Sequence, residues 1–145
     1  MRDQVIEHLR TTMQSQAELA ESLPDDAFSK KLNHRSNTIG SQYWCVVGAR
    51  ESYGRALKQG QWSGFACSMT GQDTLDRQRV VLSLNRAAQA IEETLDGLEW
   101  TADRDNILLN LLEHETQHQG QLIRYVYALG YTFPKSWADR WALSE

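Results

Sequence analysis

A chain of 145 residues builds one hydrophobic core and not two, and a net charge of -4 leaves no broad basic face for a phosphate backbone, which argues against a nucleic-acid partner. Two cysteines, Cys45 and Cys67, are too few for a secreted disulfide scaffold, and the first residues lack the apolar run of a signal peptide or membrane span. A cytoplasmic protein without a membrane partner is expected.

Apolar residues recur at helical spacing in four stretches. The first carries Val5, Leu9, Met13, Ala17, Ala20 and Leu23 and stops at Pro24, which cannot continue a helix. A polar connection, 25–37, follows. The second begins near Thr38, carries Ile39, Tyr43, Val46, Val47, Tyr53 and Leu57, and ends at Gly60. Residues 61–72 mix glycine and serine with Trp62 and Phe65 and keep no period, so an ordered loop is expected. The third helix should run from about Asp73 to Leu98, burying Val80, Leu84, Ala87, Ile91, Leu95 and Leu98. Thr101 then offers an N-cap, with Arg104 where a capping box prefers Glu or Gln. The fourth helix runs to about Leu129 and ends at Gly130. A short aromatic tail with Trp137 and Trp141 follows, in one or two helical turns. No alternating strand pattern occurs, which predicts an all-α, single-domain four-helix bundle over 1–145.

The chemistry concentrates in the fourth helix. His114 and His118, four residues apart, lie on one helical face with side chains close enough to grip one ion. The apolar series Ile107, Leu111, Leu122 and Tyr125 passes through them, which turns both rings toward the interior. Buried imidazoles need partners: either hydrogen bonds in a polar seam or a metal. His8 and His34 lack such a setting and are expected to be exposed. Glu115, one step from His114, is expected to face solvent, and Gln121, three beyond His118, to support the site from behind.

His114-Glu115-Thr116-Gln117-His118 also fits the HExxH pattern of zinc peptidases, in which the glutamate is general base. The surroundings disagree. Gly120 stands where that motif usually has a bulky apolar residue, Gln121 and Arg124 replace the glycine and histidine of the longer form, and no strand is available to align a peptide.

Cys45 forms a strip of small residues with Gly48, Ala49 and Ser52 on the second helix, leaving room for a neighbouring helix or an ion. It is equally readable as a small buried hydrophobe. Cys67, in the loop, can approach the same end, and a closed Cys45, Cys67, His114, His118 tetrahedron would be a structural zinc site, although the spacing matches no short knuckle.

His114, Glu115, His118, Gly120 and Gln121, followed by Leu122, Leu129, Gly130 and Pro134, resemble the His-Glu-x-x-His-x-Gly-Gln signature and sequel of the DinB-like superfamily of small metal-dependent enzymes. Thr38, Ile39 and Gly40 resemble the opening of its second helix, which places Cys45 where a third histidine usually stands. The resemblance implies a bundle with a long crossover and a homodimer. It also implies a divalent transition metal, zinc or nickel, held between helices two and four by Cys45, His114 and His118, with Gln121, Glu115 and Cys67 around it. Two functions are then open. One is a metal-dependent hydrolase or thiol-linked transferase acting on an unidentified small molecule. The other is a non-catalytic helical interaction module with a vestigial or structural site.

Overall fold

The computed structural model describes residues 1–144. Its helices are α1 (Arg2–Ser22), α2 (Ile39–Gln59), α3 (Arg77–Leu95), α4 (Ala102–Leu129) and α5 (Lys135–Trp141). No strand occurs among the described residues.

Each long helix starts or stops for a local reason. Thr38 caps α2, its hydroxyl oxygen accepting from the Ser41 N–H at 3.0 Å. Gly60 and Gly130 close α2 and α4 in the left-handed region, at φ 81° and 75°. The third helix departs from expectation at both ends. It starts at Arg77 because the Asp76 carboxylate accepts from the Gln78 and Arg79 N–H groups, while Asp73–Leu75 form a separate 3-10 turn. It stops at Leu95 because Asp96 is extended and Gly97, at φ 72°, turns the chain. Thr101 caps α4 as expected, accepting from the Arg104 N–H at 3.2 Å. The residue that replaces the capping-box acid has a different task. The Arg104 guanidinium donates to the carbonyls of Leu57 and Lys58, satisfying the open C-terminal end of α2, and to that of Glu99 in the link before α4.

Side-chain pairings across the bundle give its topology. Arg2 at the start of α1 meets Asp105 at the start of α4, and Gln16 reaches Glu115, so α1 and α4 run parallel. Arg10 pairs with Glu92 and Arg77 with the Leu23 carbonyl, so α3 opposes α1. Gln42 meets His118 while Arg104 meets Leu57, so α2 opposes α4. The order is up, down, down, up. Because α2 and α3 are parallel, the chain must travel back along the bundle between them, and residues 61–76 are that long crossover.

The core falls into two apolar clusters. One gathers Tyr43, Val46, Leu84, Leu122, Val126 and Trp137, the other Leu9, Met13, Leu57, Ile91, Leu108 and Leu111. Between them lies a layer of buried polar side chains, Gln16, Arg50, Glu115 and Gln119. The histidine pair sits at the edge of that layer.

Candidate functional site

The ring centroids of His114 and His118 are 4.5 Å apart on consecutive turns of α4. Their surroundings differ. His118 is buried and His114 is half-buried at the α2-facing edge, beside Tyr53 at 6.4 Å between ring centroids. The expectation that both rings point fully inward is therefore right only for His118. Burial pushes the His118 imidazole down to about 4, helped by its neighbour His114, and burial lowers His114 as well. Both rings are neutral at pH 7, the form in which imidazole can ligate.

A chain of hydrogen bonds fixes which nitrogen of His118 is free. Its Nδ1 lies 2.6 Å from Gln42 Oε1, and an amide oxygen can only accept, so Nδ1 carries the proton and Nε2 keeps its lone pair. The Gln42 amide is itself oriented, its Nε2 donating to Asn37 Oδ1 at 2.9 Å. The Tyr125 hydroxyl anchors Asn37, lying 2.5 Å from Oδ1 and 2.7 Å from the backbone oxygen. His114 Nδ1, by contrast, is buried without a hydrogen-bond partner. His118 thus has the orienting partner that a histidine ligand usually has, and His114 beside it keeps a buried nitrogen that no protein group satisfies.

Glu115 corrects the sequence reading most sharply. It was expected at the surface and is instead fully buried, its carboxylate paired with Arg50 through Nε–Oε1 at 2.5 Å and Nη2–Oε2 at 3.1 Å. Arg50 Nη1 also donates to the Leu84 carbonyl at 2.9 Å. A carboxylate held by a bidentate guanidinium inside the core is not placed to take a proton from water, so the general-base role of the peptidase motif has no residue to fill it. Gln121 is exposed, and the support behind His118 comes from Gln42 on α2.

The strip of small residues on α2 is filled by neither a helix nor an open space. Ser52 Oγ donates to the Ala66 carbonyl and accepts from its N–H, Glu51 accepts from the Ser68 N–H, and the Trp44 indole donates to the Met69 carbonyl. The crossover therefore lies along α2 as a strap. Gly48 is required there: a Cβ would overlap the Phe65 ring and lie 2.9 Å from Cys67 Cβ. Cys45 and Cys67 are both half-buried free thiols, and burial raises both, Cys67 to about 11. Among the described residues no three His, Cys, Asp or Glu side chains are gathered to hold an ion, so the closed four-ligand tetrahedron is not assembled. The residues present fit a two-imidazole anchor, with Cys45 outside it as a neutral thiol. His8 and His34 are exposed, as expected.

Gln42, Asn37, Tyr125 and Arg50 were not singled out from the sequence. Arg50 did carry a signal, since it continues the Tyr43, Val46, Val47 apolar face of α2, where a charge requires a buried partner. The polar chain behind His118 had none, because its members come from three separate segments.

No helix among the described residues is long and apolar enough to cross a membrane. No curated protein matches the chain. The DinB family profile matches residues 1–141, nearly the whole bundle including the helix with the paired histidines and the helix with Cys45, and the chain belongs to that family.

Proposed function

We propose that this chain is a metal-dependent enzyme, of hydrolase or thiol-linked transferase type, that holds a divalent zinc or nickel ion through His114 and His118 and acts on a small molecule. The observation that carries the reading is the Gln42 hydrogen bond to His118 Nδ1, which leaves Nε2 unprotonated beside an unsatisfied His114. A bound ion would supply a Lewis acid able to activate a water or a thiol at neutral pH. The protein's own part is to keep both rings neutral by burial and to fix the tautomer of His118 through Gln42, Asn37 and Tyr125. Cys45 lies outside the imidazole pair, so to complete the ligand set it would have to approach the ion and give up its proton on binding.

Isothermal titration of metal-stripped protein with zinc and nickel tests the proposal. His114→Ala and His118→Ala should each weaken uptake severely, and Cys45→Ser should weaken it and shift the metal preference, since serine offers a harder and poorly ionised oxygen. Cys45→His should restore or strengthen binding. Equal uptake by wild type and His118→Ala, or none by either, would overturn the reading. The raised thiol of Cys45 favours a second reading, a non-catalytic helical module with a vestigial site, which the absence of uptake would select.

A further inference from the structure

His118 also borders a solvent-open depression between the 25–37 connection and the C-terminal half of α4. Its floor is polar and ordered: Gln42, His118 and Tyr125 are buried, and Asn37 ties them together. Leu32 supplies an apolar flank, and the rim is Arg124, with His34 and Gln121 beside it. No acidic side chain lines the depression, in a protein whose net charge is -4. Arg124 is exposed and forms no ion pair among the described residues. The phenol and imidazole donors of the floor are spent within it, so an anion here is met by the unneutralised Arg124 guanidinium and by the side-chain amide of Asn37, whose Nδ2 donates to no protein group among the described residues.

We infer that this depression binds the carboxylate of a short aliphatic acid at Arg124 and directs the other end of that molecule toward His118. A single guanidinium presents one planar fork and one positive charge, which match one carboxylate in bidentate geometry. Six residues separate Arg124 from His118, about 9 Å of helix rise, so a short chain spans the distance from the anion to the imidazole. The inference rests on the metal reading for what happens at the His118 end, and it names the substrate class that reading lacks. The anion contact itself needs no metal.

Binding is therefore measured first on metal-stripped protein, by NMR titration with butyrate. The side-chain amides of Asn37 and Gln42 should shift in a saturable way. Arg124→Ala should weaken butyrate binding at least about tenfold, worth about 1.4 kcal/mol. Arg124→Lys should fall between, because an ammonium keeps the charge and loses the fork. Arg86→Ala, an exposed arginine on α3, should leave the titration unchanged. Inorganic phosphate in a parallel titration should bind more weakly than butyrate. The inference is overturned by a linear, non-saturating response, by wild-type affinity in Arg124→Ala, or by tighter binding of phosphate. A separate zinc titration keeps the two readings apart. Zinc uptake that depends on His118 with no butyrate site sinks only the carboxylate inference, and a butyrate site without zinc uptake sinks only the metal reading.

Discussion

Arg50 and Glu115 face each other with no access to water, and the guanidinium is also bonded to the Leu84 carbonyl. Removing one partner of such a pair leaves a buried charge unpaired, which costs more than the pair itself contributes. Glu115→Gln should lower stability by about 3 kcal/mol, read as a fall in the urea midpoint. The double variant Arg50→Met with Glu115→Leu should recover most of that loss, since matched apolar side chains need no compensation. A loss of peptide cleavage on Glu115→Gln with stability intact would contradict this account. Gln42 works on a smaller scale. Gln42→Leu should lower zinc affinity about tenfold or more in the same isothermal titration, because His118 then loses the acceptor that fixes its tautomer. The helical circular dichroism spectrum should stay as in wild type. Acid should act through the histidines as well. An unfolded histidine takes a proton near pH 6.5, whereas folded His118 resists until about 4, and His114 shifts in the same direction. The neutral rings therefore support full stability of the metal-free protein above about pH 6.5, and the support is lost as pH falls toward 4. The loss at His118 is on the order of 3 kcal/mol. Urea midpoints between pH 4 and 7 should show the decline, and His118→Gln should flatten it.

At the scale of elements, two glycines of α2 separate a backbone contact from a side-chain contact. A Cβ on Gly40 would collide with the Thr74 carbonyl oxygen and lie 2.9 Å from that of Phe28. Those atoms belong to the two 3-10 turns that cross the start of α2 at Asp25–Ser29 and Asp73–Leu75, and backbone cannot swing aside. The nearest atoms to a Cβ on Gly48 are side-chain atoms of Phe65 and Cys67, which can move with the strap. Gly40→Ala should therefore lower the thermal midpoint clearly, at a cost of about 1–3 kcal/mol. Gly48→Ala should leave the helices in place and free the strap. The expected readouts are faster proteolysis within residues 61–72 and a changed tryptophan emission from Trp62 and Trp44, which pack at a tilt against Tyr53 and Phe65. Equal effects of the two substitutions would show that the strap is integral to the bundle.

At the scale of the whole molecule, helical periodicity was enough to count four long segments, end them at Pro24, Gly60 and Gly130, and begin the last at Thr101, because proline, glycine and capping hydroxyls act on their own backbone. The spacing of His114 and His118 likewise placed two rings side by side, since an interval of four is a property of any helix. The face they occupy was another matter. The buried face of α4 takes in the expected Ile107, Leu111, His118, Leu122 and Tyr125 but extends to Leu108, Glu115, Gln119 and Val126, so its centre is rotated from the one drawn through both histidines. That rotation puts the acid in the core and His114 at the edge. Hydrophobicity alone favours the opposite arrangement, and only the arrival of Arg50 from a distant helix makes a buried Glu115 tolerable. The use of Arg104 to close α2 was hidden for the same reason, as it depends on a partner far along the chain, whereas the boundaries of α3 are set locally, by the Asp76 cap and the turn at Gly97. Local rules thus determined which segments are helical and which side chains neighbour one another within a helix. Tertiary contacts decided which charges could be buried, what holds His118 in its tautomer and what covers the small residues of α2, because each of those requires a group from another segment of the chain.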